Sequence, residues 1–322
     1  MHILITGGAG FIGGHLAEKL LAEGHAVHVI DDLSTGSIRN IDAAKGHPRF
    51  TYDLDTIFNE RLLREAIDRA EVIYHLAAAV GVQLIVDRPV HTIETNVVGT
   101  EKVLKFAVLK NRRVFIASSS EVYGKNPEVP FNEESDLLLG PTIRHRWAYA
   151  CSKAIDEFSA LAYHREKGLP ATVLRFFNTV GPRQTGRYGM VIPRFVEAAL
   201  KGEALPVYGD GSQTRCFTDV EDVVWVLTEL LKHPASAGQV YNIGNPEEIS
   251  ITELAKKIIA LTGSKSVLRF VPYQEALGEG FEDMLRRVPD IRKIAALTGY
   301  KPRHNLEAIL KRVIAHMRSA GK

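Results

Sequence analysis

Tyr149 and Lys153 stand four residues apart, which puts a phenol and an ammonium on one face of a helix. A phenol titrates near about 10 and is a poor base at neutral pH. An ammonium one turn away favours its ionised form. Ser119 adds a hydroxyl in the run Ser118-Ser119-Ser120-Glu121-Val122-Tyr123-Gly124, just past an apolar segment, Val114 to Ala117. The three side chains suit removal of a proton from a substrate hydroxyl. Tyr149 takes the proton and Ser119 hydrogen-bonds the same oxygen. A Tyr-x-x-x-Lys pair alone reads as a surface pair, so the elements around it must decide.

The first of those elements opens the chain. Ile3-Leu4-Ile5 is an apolar run, Gly7-Gly8-Ala9-Gly10-Phe11-Ile12-Gly13 a glycine turn, and Leu16, Leu20 and Leu21 continue a helical spacing. Strand, turn and helix N-terminus together make a cradle for a pyrophosphate. Gly7 can take a φ that other residues avoid, Gly10 lets backbone approach phosphate, and Gly13 lets helix pack on strand. The next strand, Val27 to Ile30, ends in Asp31-Asp32. A carboxylate there hydrogen-bonds a ribose hydroxyl and repels a 2′-phosphate, so NAD is expected rather than NADP. Lys153 then holds the cofactor ribose, and a cationic nicotinamide further lowers the pKa of Tyr149.

Along the chain, Leu33 to His47 reads as a polar loop and Phe50 to Tyr52 as a short strand. Asp53 at its end is either an adenine contact or a helix N-cap. Val72 to Ala78 reads as a buried parallel strand, on which His75 is structural rather than a ligand or base. Pro89 to Lys110 reads as one long helix, and Ala171 to Phe177 as a strand. From Asn178 to Arg215 the chain is rich in Gly, Pro and Arg and starts a smaller subdomain. A helix at Val220 to Leu231 and a strand at Val240 to Ile243 return to the main sheet. Ser250 to Glu253 is a capping box opening a helix closed by Gly263, and a final helical segment follows Asp290. Because ligands of an open parallel sheet bind beyond the carboxyl ends of its strands, the serine cluster lies where chemistry belongs.

The expected fold class is α/β: a doubly wound parallel sheet, the Rossmann fold, with a smaller C-terminal substrate-binding α/β subdomain. The expected division is 1–177 for NAD, with 216–246 returning to it, and 178–322 for substrate. With 40 basic and 38 acidic residues in 322, nothing argues for nucleic acid or a polybasic membrane anchor. The two cysteines, Cys151 and Cys216, have no CxxC spacing, so neither a disulfide framework nor a metal site is expected. The most apolar stretch, Val72 to Val86, is broken by His75 and Gln83 and is too short to span a membrane. The first strand starts at about residue two, leaving no room for a leader, and a soluble cytoplasmic protein is expected.

These motifs, with Asn96, Arg175 to Arg183, Tyr208 to Arg215 and Arg287-Val288-Pro289-Asp290, resemble the extended short-chain dehydrogenase/reductase family. Within it the chain is similar to the nucleotide-sugar epimerases, dehydratases and decarboxylases, and the likeness runs essentially end to end. The resemblance implies that bound NAD transiently oxidises carbon 4 of the sugar. It carries cofactor contacts onto Phe11, Ile12, Asp53, Leu54, Ala77 and Asn96. Substrate contacts fall on Asn178, Val191, Tyr208 and Arg215, with Arg215 the foremost phosphate ligand. Arg183 and Arg194 are weaker candidates and serve equally as surface charges.

The serine–glutamate pair with an arginine before Pro-Asp is similar to UDP-glucuronate decarboxylases. The aspartate that marks thymidine-diphosphate-glucose dehydratases is Ser120 here, and mannose dehydratases prefer NADP. The resemblance therefore implies a UDP-glucuronate decarboxylase making UDP-xylose, with a UDP-glucose or UDP-glucuronate 4-epimerase as the alternative and a 4,6-dehydratase behind both. A ketone at carbon 4 makes the carbon-6 carboxylate a β-keto acid. Arg287 would orient that carboxylate, or else bind diphosphate, and Glu121 would support protonation at carbon 5, or else bind a sugar hydroxyl. Family likeness also implies a homodimer built on the helices around Pro89 to Lys110 and Tyr149 to Lys167.

Overall fold

The computed structural model describes residues 1–81, 84, 87–186, 189–277 and 282–320. Gln83 and Val86 of the apolar stretch lie outside them. Seven parallel strands form the main sheet: β1 (His2–Thr6), β2 (Ala26–Ile30), β3 (Phe50–Asp53), β4 (Val72–His75), β5 (Arg113–Ser119), β6 (Ala171–Phe176) and β11 (Val240–Ile243). Their order is β3-β2-β1-β4-β5-β6-β11, so the direction of winding reverses between β1 and β4. Ile3, Leu4 and Ile5 are buried on both faces, which is why the strand reads as a continuous apolar run. Helix α1 (Phe11–Ala22) packs with α7 (Val220–Leu230) on one face of the sheet. On the other lie α2 (Glu60–Arg69), α4 (Gly99–Leu109) and α5 (Arg146–Lys167). Among the described residues no helix is long and apolar enough to cross a membrane.

Two segments hold local structure that the text does not show. The long helix expected from Pro89 runs unbroken to Leu109, but α3 (Pro89–Ile93) passes through a π turn at Glu94–Val98 into α4. The wider turn carries Asn96, whose side chain accepts from Ala79 N at 2.9 Å and donates to Ser152 Oγ at 3.0 Å. In Leu33 to His47, Ile38–Ile41 forms a 3-10 turn that Ser37 caps, and Asn40 donates to Ala9 O at 2.9 Å. The polar text conceals a segment pinned beneath the glycine turn.

A second apolar core joins α6 (Val191–Lys201), α8 (Ile251–Thr262) and α11 (Leu306–Ala320) through Ile192, Phe195, Leu254, Ile258, Ile309 and Leu310. β7 (Thr179–Val180) pairs in parallel with β10 (Thr218–Asp219), α9 (Tyr273–Leu277) is a short helix, and further short strand pairs edge this core. Of these, β8 (Leu205–Tyr208) runs parallel to β13 (Leu268–Val271), and β9 (Thr214–Cys216) runs antiparallel to β12 (Glu248–Ser250). Ser250 accepts from Glu253 N and Gly263 closes α8 in the left-handed region, as the capping box implies. The final helical segment is two helices, because Gly299 ends α10 (Arg292–Thr298) in that same region. A third apolar group, including Tyr123, Phe131, Trp147, Phe177 and Met284, lies under the turn after β5. Through it Phe131 donates to Val288 O and accepts from Asp290 N, both at 2.8 Å, which fixes the backbone around Arg287.

His75 closes β4 in the interior, Nδ1 against Thr6 Oγ1 at 2.7 Å and Nε2 against Thr100 Oγ1 at 3.1 Å. Burial, with the charge of Lys153 behind it, pushes its pKa down to about 3. It is neutral in the folded protein and structural. Because the unfolded chain takes up a proton at His75 below about 6.5 and the folded chain does not, stability falls as pH drops through that value. Between pH 6.5 and 5.5 the wild type should lose roughly 1 kcal/mol more unfolding free energy than His75→Asn. Urea titrations of both proteins at the two pH values check this.

Candidate active site

The crevice opens at the carboxyl ends of β1 and β4, where the winding reverses, as the general rule for such sheets requires. It holds a cavity of about 1270 Å³ that runs from the glycine turn to Tyr208, Arg215 and Arg287. At its inner end Gly7 has φ +72°, and a Cβ there would come within 2.6 Å of Ala77 N. A Cβ at Gly13 would sit 2.4 Å from Gly7 O. Neither clash is with a movable side chain, so only glycine permits this turn. Gly10 precedes α1 without any side-chain cap, and the first turn of α1 has no acidic residue. An anion is the natural partner for those N–H groups. Asp31 at the end of β2 is buried, accepting from Ala9 N at 2.9 Å and Leu33 N at 2.8 Å, and lines the cavity beside Asp32. The carboxylate keeps lone-pair capacity for a hydroxyl besides these backbone donors. Phe11, Ile12 and Ala77 also line this end. The residues present fit a dinucleotide.

Three residues expected to contact the cofactor stand off the cavity wall. Asp53 does not line the cavity: its carboxylate lies 3.2 Å from His28 Nε2, and α2 is capped by Asn59 instead. Leu54 is exposed and likewise off the wall. The chain turns inward one residue later, so Asp55 to Phe58 form that side. Asn96 is fully buried behind the wall, its amide used to hold Ala79 and Ser152.

The centre of the cavity carries the set expected to handle a proton. Tyr149 and Lys153 project from the start of α5, and Ser119 closes β5 and faces Tyr149. The phenol is not acidified here. Burial raises its pKa, Glu121 and Asp156 add to the rise, and Ser119 and Arg287 only partly oppose it. The Lys153 ammonium lies 2.7 Å from Asp156 Oδ2, so a carboxylate balances its charge.

Beyond Tyr149 lies a charge cluster. Glu121 accepts from Arg146 Nη2 at 3.1 Å and is paired with Arg287, which also donates to Asn178 Oδ1 at 2.7 Å. Burial alone would raise the pKa of Glu121, but Arg146, Arg287 and Arg215 outweigh it and hold it at about 2. Arg215 pairs with Asp283 at 2.8 Å and donates to Met284 O. Tyr273 donates to the other oxygen of Asp283 at 3.0 Å. Val191 opens α6 on the wall, and the Tyr208 hydroxyl at the end of β8 accepts from Arg194. Arg183 is paired with Glu18 and donates to Asn40 O, so it ties α6's side of the crevice to α1's and is no free surface charge. Arg146, Asp283 and Tyr273 were not anticipated. Arg146 could have been, since it precedes Tyr149 by three residues on the same helix face.

The family profile described as GDP-mannose 4,6 dehydratase matches residues 4–313. The chain belongs to that family. Among similar proteins is the UDP-N-acetyl-alpha-D-glucosaminuronate decarboxylase of Bacillus cytotoxicus, 40% identical over 320 residues covering 98% of this chain and 97% of the relative. UDP-glucuronic acid decarboxylase 1 of Danio rerio is 40% identical over 315 residues, covering 98% of this chain and 72% of the relative. In fold, the chain is similar to the UDP-glucuronic acid 4-epimerase of Bacillus cereus, crystallised with UDP-glucuronic acid and NAD. That match has a TM-score of 0.88 and 27% identity, over 99% of this chain and 100% of that one.

Gly13→Ala forces the glycine turn apart without touching the catalytic set. It should weaken NAD binding by more than about tenfold, since the backbone must shift at the anion cradle. Isothermal titration with NAD, alongside circular dichroism to show the fold retained, reads the outcome.

Proposed function

We propose that this chain is an NAD-dependent UDP-hexuronate decarboxylase, with UDP-glucuronate as substrate and UDP-xylose as product. The observation that carries the reading is the convergence of Arg287 and Arg146 on one carboxylate beside Tyr149 and Ser119. A neutral hexose brings no charge to that place, whereas a hexuronate brings a carboxylate that guanidiniums bind bidentately. Relatives at 40% identity whose names are decarboxylases of UDP-hexuronates support the same reading.

On this reading the glycine turn and Asp31 hold the dinucleotide, which when bound supplies the hydride acceptor for carbon 4. Residues 1–177, with 216–246 returning, serve the dinucleotide, and 178–322 serve the nucleotide sugar. Tyr149 Oη takes the proton of the carbon-4 hydroxyl while Ser119 Oγ orients that oxygen. Lys153 keeps a positive charge beside the phenol. Arg287 orients the departing carboxylate and stabilises charge developing on the sugar. Arg215, with Tyr208, Val191 and Asn178, lines the diphosphate and base end. Glu121 is ionised at neutral pH and so is no acid while both arginines face it. A substrate carboxylate that takes over Arg287 removes one of those cations and raises the pKa of Glu121 towards proton transfer at carbon 5.

The purified protein incubated with NAD and UDP-glucuronate should release carbon dioxide and form UDP-xylose, read by ion-exchange chromatography and mass spectrometry. UDP-galacturonate as sole product would show a 4-epimerase instead. UDP-N-acetylglucosaminuronate in a parallel reaction reads tolerance for a carbon-2 acetamide. Tyr149→Phe should cut turnover by about 10²–10⁴ while NAD still binds.

The assembly is a homodimer on this reading. Val90, Ile93 and Val98 on the segment from α3 to α4, and Ile155 and Phe158 on α5, are all exposed apolar side chains on neighbouring helices. An apolar face of this kind calls for a partner, and a second copy pairing these helices covers it. The cytoplasm is the proposed compartment, where the unbridged Cys151 and Cys216 stay reduced. Sedimentation equilibrium at micromolar concentration should give twice the chain mass, and Phe158→Asp should return it to the mass of one chain.

A further inference from the structure

Asp156 is a charge that the reading above leaves without a task. It lies three residues beyond Lys153 on α5, one turn deeper, and its side chain is 1% exposed. Its Oδ2 accepts from Lys153 Nζ at 2.7 Å, and Lys153 itself is 2% exposed. Lys153 reaches the cavity wall, whereas Asp156 stands behind it. Thr100 of α4 stands beside Asp156 and meets His75 Nε2 at 3.1 Å, which places the carboxylate against the end of β4. The neighbouring acid does not share this duty: Glu157 is paired with Arg175 of β6 at 2.6 Å and accepts from Ser118.

We propose that Asp156 is the positioning residue for Lys153, anchoring its ammonium from behind and setting the charge against which Tyr149 works. A buried ammonium is costly without a counter-ion. Asp156 supplies one that does not occupy the cavity, which leaves the remaining ammonium protons for a ligand at the wall. The inference rests on the assignment of Tyr149 as the proton acceptor. The charged and titratable groups around the pair are Glu157, with Arg175, and His75. Around the phenol they are Glu121, Arg146 and Arg287.

The sign of the effect follows from electrostatics alone. Removing a negative charge lowers the pKa of a neighbouring phenol such as Tyr149. Asp156→Asn keeps an oxygen acceptor for Lys153 and removes only the charge. The acidic limb of its pH profile for kcat/KM with UDP-glucuronate should therefore move to lower pH, by roughly 1 unit. Asp156→Glu should return it towards the wild-type position. Independently of turnover, ultraviolet difference titration of tyrosinate, with Tyr149→Phe subtracted, should show the Tyr149 transition at lower pH in Asp156→Asn. A wild-type acidic limb and an unchanged Tyr149 transition in Asp156→Asn would overturn the proposal, as would a loss of rate equal at every pH. Failure of the underlying reading looks different: Tyr149→Phe would then turn over UDP-glucuronate as the wild type does.

Discussion

Buried guanidiniums must be paired before a ligand arrives, and this requirement organises the outer half of the crevice. Arg146, Arg215 and Arg287 are each more than nine-tenths buried. Left alone, each would carry a desolvation penalty of several kcal/mol. Glu121 and Asp283 meet that penalty with carboxylates, and Asn178, Met284 and Thr214 add neutral oxygens. The site is thus assembled as a set of internal ion pairs whose cations outnumber the anions. An entering diphosphate or carboxylate does not meet bare charge. It exchanges with an internal carboxylate, and only an anion of suitable shape and reach gains by the exchange.

The sheet makes that pairing possible by delivering each partner from a different element to one edge. β5 ends at Ser119 and passes directly into the turn that carries Glu121. α5 brings Arg146, Tyr149 and Lys153 along one face. Arg287 comes from far along the chain, and its backbone is held by Phe131, itself packed on Tyr123 with ring centroids 4.5 Å apart. Tyr123 donates to Asn242 of β11, and Asn242 donates back to Phe131 O. Packing under the site therefore couples the position of the carboxylate to that of the arginine opposite it. A cavity made beneath Phe131 would disturb the chemistry without touching a reacting atom.

What could be read in the sequence, and what could not, divides along a physical line. The glycine turn, Asp31 and the Tyr149–Lys153–Ser119 set were legible because local backbone geometry dictates them: a turn without room for Cβ, a strand end, a helix repeat. Parallel strands declared themselves as unbroken apolar runs, and the box at Ser250 gave its helix a start. The orientations of Asp53, Leu54 and Asn96 were not legible, because they depend on where a loop turns inward and on a π turn, neither of which leaves a compositional mark. Asp283 comes from an irregular segment and meets Arg215 only through tertiary structure. Arg146 and Asp156 differ from these. Each lies within one turn of Tyr149 or Lys153, and their helix periodicity is readable, but a charge on a helix is usually solvated and carries no mark of burial.

The ionisation of Tyr149 shows how these two halves combine. Glu121 in front and Asp156 behind both oppose the phenolate, while Ser119 and Arg287 favour it. The front pair is exchangeable, because Glu121 shares its arginines with whatever anion the cavity takes up. The rear pair is not, because Asp156 stands behind the cavity wall and holds Lys153 Nζ at 2.7 Å. A cation brought to the inner end of the cavity adds to the charge of Lys153 with no new carboxylate to cancel it. A base held neutral while the cavity is open, and freed only when the charges in front of it are rearranged, avoids an unpaired phenolate in a buried site. The structure meets that condition by fixing one ion pair and leaving the other open to exchange.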